Sequence, residues 1–225
     1  MDTEMGESGG TEEEIAARRK PSTRYEEGQS LNAIWAVRSA GIDPITGKEV
    51  FIKKDGTTTY DWSAADQVVC GENNPKIRGN IGGSFAHKGF ELNLMFTYRL
   101  GGQTYNQTLV DKIENADILN WNVDRRVLTD RWNTPGVAAK FQSITDISQT
   151  RPTSRFVEDL NEFVFSSINF GYDFSELPIV RRSPFSFLKL TFNMNDIAWL
   201  SSVKREQGLS YPRARTFSFT VQTRF

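Results

Sequence analysis

Apolar and polar residues alternate strictly over several long stretches of this chain. The closing ten residues, TFSFTVQTRF (216–225), put Phe217, Phe219, Val221 and Phe225 on one face of a strand and Ser218, Thr220, Gln222 and Arg224 on the other. Soluble domains tend to fray at their C-termini, so an ordered end with an apolar face calls for something to cover that face. Residues 90–100 repeat the pattern: Phe90, Leu92, Leu94, Phe96, Tyr98 and Leu100 alternate with Glu91, Asn93, Met95, Thr97 and Arg99. Upstream, Ile81, Gly83 and Phe85 share one face while Asn80, Gly82 and Ser84 share the other, and His87-Lys88-Gly89 predicts a tight reversal between the two runs. Residues 163–174 read as a strand whose apolar phase slips by one between Phe165 and Ile168, which predicts a bulge. In 185–196, Leu188, Leu190, Phe192 and Met194 lie on one side. Residues 28–38 form a weaker strand, apolar on both faces.

The pattern thus predicts about six strands of roughly 10–12 residues, the length of a tilted bilayer-spanning strand. Their connections alternate in length: 41–76 is long and rich in turn signals, 87–89 is short, 101–162 is long, and 175–184 and 197–213 are intermediate. Outer-membrane barrels have short periplasmic turns and long external loops. With the 87–89 turn in the periplasm, the C-terminus falls there too. Phe85, Phe90, Tyr172, Phe174, Phe185 and Phe225 then fall near the inner interface, and Trp35, Tyr98, Tyr105, Trp199 and Tyr211 near the outer one. Within the second long stretch, 115–132 reads as a helix with Val123, Val127 and Leu128 on one stripe. Residues 1–27 read as a disordered or short helical segment, with a capping-box pattern at Thr11 and Glu14, and 28–225 as the barrel portion.

Composition leaves this picture open. Among 225 residues the net charge is −1, which gives no bulk attraction to nucleic acid, and 16 are Phe. Mean hydropathy is −0.48. No run reaches the roughly 20 apolar residues of a membrane helix, and residues 1–14 lack the apolar core of a secretory segment. A membrane barrel escapes both tests, because its lipid contact lies in alternate residues.

Little catalytic chemistry is expected. His87 is the sole histidine and Cys70 the sole cysteine, which argues against a metal cluster or a nucleophile–base pair. Cys70 is taken as a small apolar filler in a loop. The carboxylates Asp61, Asp66, Glu158 and Asp159 show no glycosidase spacing, no phosphate loop is present, and Asp55-Gly56 lacks the ligand spacing of a calcium loop. No cofactor is expected. Tyr60, Trp62, Trp121 and Trp132 fall in the long loops, where they could stack on sugar rings or grip a peptide, or else pack the loops on themselves or on a partner. The alternative to a membrane sheet is one sheet of a β-sandwich, soluble or surface-attached, that binds carbohydrate.

Several motifs, in order, resemble the C-terminal part of SusC/RagA-type TonB-dependent outer-membrane transporters. They are Gly41-Ile-Asp-Pro-Ile-Thr-Gly47; Pro75 through Gly79 with His87-Lys-Gly-Phe-Glu-Leu92; Gly101-Gly-Gln-Thr-Tyr-Asn106; Asp124-Arg-Arg126 with Asp130-Arg-Trp132; Pro152-Thr-Ser-Arg155-Phe-Val-Glu158; Phe163-x-Phe165-x-x-Ile168-x-Phe170-x-Tyr172; Asn195-Asp196; and Tyr211-Pro-x-x-Arg215-Thr-Phe217. The resemblance covers about residues 25–225. Val164 and Ser166 stand where the family is often basic, and His87 where it often has another aromatic. The resemblance implies an all-β fold: the last part of a barrel of about 22 strands, incomplete on its own, with long extracellular loops containing a short helix. It also implies a Gram-negative outer-membrane location with a periplasmic C-terminus and no enzymatic step. Implied partners are a SusD-like surface lipoprotein, the TonB complex through an N-terminal region absent here, the barrel-assembly machinery, outer-membrane lipid, and a glycan or peptide substrate. Phe217, Phe219, Val221 and Phe225 resemble the signal that the assembly machinery reads. A six-stranded piece cannot close such a barrel, so the fragment alone is expected to be inactive.

Overall fold

A computed structural model describes residues 14, 17–146, 148–204 and 215–225. The Thr11 end of the capping-box expectation and the Tyr211–Pro212 motif lie outside these residues. The chain forms two compact units, residues 1–74 with 103–158 and residues 75–102 with 159–225.

The second unit is built on an open antiparallel sheet in the order β5-β6-β7-β8-β9, with β5 and β9 at its edges. The strands are β5 (Ile77–His87), β6 (Phe90–Tyr105), β7 (Val157–Asp173), β8 (Phe187–Ser201) and β9 (Thr216–Arg224). The predicted reversal is a two-residue turn: His87 pairs with Phe90, and Lys88 and Gly89 between them have φ of 46° and 86°. Two successive positive φ values define the type I′ turn, whose twist matches that of the flanking strands. Register shifts once in the β7–β8 pair, between Phe165 and Ser167, where the phase slip predicted a bulge. On β8 the adjustment includes Asp196, at φ 51°. Its effect is visible in the rings. Phe163 and Phe165 stack on Phe96 at 5.6 and 4.7 Å, while Phe170 and Tyr172 pack on Phe90 at 6.0 and 4.3 Å. Phe90 and Phe96 share one face of β6, so the slip keeps both halves of β7 apolar on the same side.

That side is continuous. Across β8 and β9, Leu190, Phe192 and Met194 pair with Val221, Phe219 and Phe217. Across β7 and β8, Tyr172, Phe170 and Ile168 pair with Leu190, Phe192 and Met194. These rows do not meet an interior: Phe217 is 65%, Phe219 66% and Val221 63% exposed, and Ile77, Ile81, Phe85, Phe163 and Leu200 are exposed too. The opposite face is polar and internally bonded. The Lys189 Nζ donates to Glu91 Oε2 at 2.6 Å, Thr97 and Ser166 share a hydroxyl hydrogen bond at 2.8 Å, and Asn169 donates to Asn193.

The first unit corrects the expectation of long irregular loops. The stretch 41–76 contributes three strands to a second sheet, in the order β3-β2-β1-β4, formed by β1 (Ala33–Ile42), β2 (Glu49–Ile52), β3 (Thr58–Thr59) and β4 (Gln67–Glu72). β1, expected among the long wall strands, belongs to this sheet. Its run Ile34, Trp35, Ala36 and Val37 is buried throughout, which accounts for its two apolar faces. Cys70 is in β4, not a loop, and its Sγ donates to the Ala36 carbonyl at 3.3 Å. The main core of the unit is Val110, Ile113, Val127, Phe141 and Phe156, with Tyr105, Leu109 and Ala116 packed against it.

The helix expected over 115–132 reduces to the four-residue turn Arg126–Thr129. Val127 is buried, but Val123 and Leu128 are exposed. The helical geometry falls earlier, at Gln107–Leu109 and Val110–Glu114, and buries Val110 and Ile113. Asp and Asn side chains take over the backbone of 115–125: Asp117 accepts from the N–H groups of Leu119 and Asn120, and Asp124 from that of Arg126. Such local bonds compete with a helical ladder.

Candidate functional site

The Gly41–Gly47 motif closes a tight loop. Asp43 N–H donates to the Lys48 carbonyl and Gly47 N–H to the Asp43 carbonyl, both at 2.8 Å. The Asp43 carboxylate accepts from the Ile45 N–H, the Thr46 hydroxyl and the Tyr60 hydroxyl at 2.9, 2.7 and 2.8 Å. These bonds, led by the Ile45 N–H, hold its carboxyl below the usual carboxylate range. Gly47 lets the Trp132 ring lie on the backbone: a Cβ there would come within 2.6 Å of the ring, and φ is 72°. The Trp132 indole N–H donates to the Pro44 carbonyl at 2.8 Å. Two motifs about 85 residues apart thus form one socket.

Beside this socket opens a hollow of about 1150 Å³, lined by Tyr60, Trp62 and Trp132 together with Glu49, Asp146 and Arg151. The Trp62 indole N–H donates to the Pro152 carbonyl at 3.2 Å, and the Arg151 guanidinium lies 5.4 Å from the Trp62 ring centroid. Three of the four loop aromatics singled out by sequence therefore converge. Trp121 does not line this hollow and is 76% exposed.

Charged residues of the remaining motifs hold the walls. Arg155 is largely buried, its side chain 11% exposed, with its Nη2 2.9 Å from Glu49 Oε2 and 2.6 Å from Glu114 Oε1, and its Nη1 donating to the Lys140 carbonyl at 2.8 Å. Burial opposes its charge, but the two facing carboxylates outweigh burial and hold the guanidinium above its ordinary pKa. Arg131, also buried, donates to the Gln142 and Ser143 carbonyls at 3.0 and 2.6 Å. Asn106 caps the following turn through Leu109 N–H and donates to Glu158 Oε2 at 2.7 Å. Periodicity carried no sign of Arg131, Arg155, Glu49 or Glu114. Arg131 and Arg155 were findable from their place inside the Asp130–Trp132 and Pro152–Glu158 motifs, whereas Glu49 and Glu114 lie outside every motif.

The terminal residues are placed as expected in alternation. Phe217, Phe219 and Val221 are on the exposed apolar face, and Phe225 packs on Phe185 at 5.1 Å. At the same end of the sheet Tyr172 meets Phe174 at 4.6 Å, giving one belt of rings. The second belt is not formed as expected. Trp35 is buried in the β1 sheet beneath Arg24, and Tyr105 packs on Phe156. Trp199 pairs with Val164, between the apolar-face residues Phe163 and Phe165, and so belongs to the polar face. Among the described residues no group of three His, Cys, Asp or Glu could hold a metal ion, and no helix is long and apolar enough to cross a membrane.

An open antiparallel sheet with one exposed apolar face and one polar, hydrogen-bonded face has the alternation of a membrane β-sheet. The chain is 26% identical over 210 residues to TonB-dependent receptor P3 of Formosa agariphila, a match covering 84% of this chain and 20% of that protein. In fold it is similar to the RagAB peptide transporter, with TM-score 0.65 and 16% identity over 85% of this chain and 22% of that one. It is likewise similar to the RagAB peptide importer in the 'open-open' state, with TM-score 0.66 and 16% identity over 86% and 22% of the two chains. No protein-family model matches. These similarities bear out the resemblance to SusC/RagA-type TonB-dependent transporters drawn from the motifs. The chain spans about a fifth of the length of the curated relative it matches.

Proposed function

We propose that this chain forms part of the wall and external loops of a TonB-linked outer-membrane transporter that imports peptides or glycans together with a SusD-like lipoprotein. The observation that carries this reading is the apolar face running across all five strands of an open sheet, left exposed by the described residues. Patches of that extent mark membrane or partner surfaces. Hydrocarbon would cover Phe217, Phe219 and Val221, and the polar face would line the lumen. Strand β9, with Phe225 at its end, would close the barrel against a strand outside this chain and serve as the assembly signal, leaving the C-terminus in the periplasm. Tyr60, Trp62 and Trp132 would meet solute or lipoprotein, and Trp121 the lipoprotein. The process is transport: no bond in the solute is broken. Alone, the open sheet would not transport.

The test is uptake by the full-length transporter bearing this segment. Labelled peptides and labelled oligosaccharides are offered to cells with and without TonB. Uptake of one class that stops when TonB is deleted is the expected result. Uptake that persists undiminished without TonB overturns the reading. Trp62→Ala with Trp132→Ala should reduce uptake at unchanged outer-membrane abundance.

A further inference from the structure

We infer that the end of the β5–β6 hairpin remote from the Lys88–Gly89 turn is a binding site for a carboxylate-bearing ligand, centred on Arg78 and Arg99. The two arginines are direct cross-strand partners, so their side chains leave the same face with Cβ atoms about 5 Å apart. Like charges placed directly opposite destabilise a strand pair. The face is the polar one, since Leu100 and Ile77, next along the chain, pair on the apolar side.

A third cation is added to the pair. The stem of Lys76 lies along Gly101, where its Cβ, Cγ and Cδ approach the position of a glycine Cβ to 3.0–3.1 Å. A larger residue at 101 would displace this ammonium stem. Glu162 lies at this end too, buried, with its Oε2 3.9 Å from Arg99 Nη1. It steadies Arg99 from the β7 side. Among the described residues, Lys76 and Arg78 form no ion pair. Both are exposed.

At the other end of the same face, Glu91 and Lys189 neutralise each other at 2.6 Å. At the remote end Lys76, Arg78 and Arg99 thus stand close together beside Glu162. A carboxylate seated between the two guanidinium groups would turn their repulsion into two charge-assisted contacts, and guanidinium forks suit its planar oxygens. Charge complementarity fixes the ligand as an anion, and the facing forks favour a planar carboxylate over a spherical ion. If the polar face lines a lumen, the site would retain the acidic group of a passing solute. The binding itself does not depend on that reading.

The experiment follows thermal unfolding of the chain in uncharged detergent, titrated with sodium citrate or with sodium chloride at matched ionic strength. A bound anion raises the midpoint by mass action, whereas screening acts alike for both salts. The expected result is a larger rise with citrate, with the excess lost in R78Q and in R99Q and kept in R224Q, which lies on the same face of β9. Sodium acetate should compete with citrate. Equal responses to citrate and chloride in the unaltered chain, or an undiminished citrate excess in R78Q, overturn the inference. If R99Q fails to fold, the exposed R78Q and the unaltered chain still decide it. These outcomes are independent of uptake, so loss of the site and loss of the transport reading are told apart.

Discussion

At the scale of single residues, two positions test the sheet directly. Gly89 occupies the second turn position at φ 86°, its carbonyl accepts the Asp173 N–H at 2.8 Å, and an added Cβ would come within 2.8 Å of the Asp173 carbonyl oxygen. Gly89→Ala should therefore cost at least the roughly 1–2 kcal/mol of a left-handed non-glycine residue, measured as a lower denaturant midpoint in detergent; an unchanged midpoint would contradict the turn geometry. Val221 and Thr220 are neighbours on opposite faces of β9. In the complete barrel, Val221→Arg should cost about 2–4 kcal/mol of stability in lipid, while Thr220→Arg should cost little. Equal tolerance on refolding into lipid vesicles would reverse the assignment of faces.

Among the elements, the two long connections differ most from the wall strands. They carry their own sheet and their own core, and buried arginines knit them together. Arg155 is the centre: removing it leaves Glu49 and Glu114 facing each other out of water. Breaking a buried ion pair from one side costs about 3–5 kcal/mol. Arg155→Met should lower the stability of the first unit by that order, read from tryptophan fluorescence during denaturation.

For the whole molecule the decisive property is the apolar face that the described residues leave exposed, on a sheet with β5 and β9 at its edges. An open hydrophobic edge templates further strand pairing. Without detergent the chain should sediment as aggregates, and in detergent it should stay dispersed. A stable, dispersed monomer in plain buffer would contradict the membrane reading, because no interior of the sheet takes up Phe217, Phe219 or Val221. In the sandwich alternative those rows would face a second sheet, whereas among the described residues Phe217, Phe219 and Val221 stay exposed.

The wall strands could be read from the sequence because their rule is local. A strand between lipid and water alternates with period two, and a phase slip such as that after Phe165 marks a bulge without reference to any distant residue. The turn at Lys88–Gly89 was legible for the same reason. The sequence by itself therefore determined the central runs of β5 to β9, their faces and the slip after Phe165, while β6, β7 and β8 run longer than expected, at 16, 17 and 15 residues. Only the tertiary structure decided the rest. The buried run of β1, the pairing of β2 to β4, the early helical turns at 107–114 and the socket joining Gly47 to Trp132 depend on contacts between residues far apart in the chain. There, burial follows from which segments meet, and the charges that join them, Arg155 with Glu49 and Glu114, have no period to reveal them.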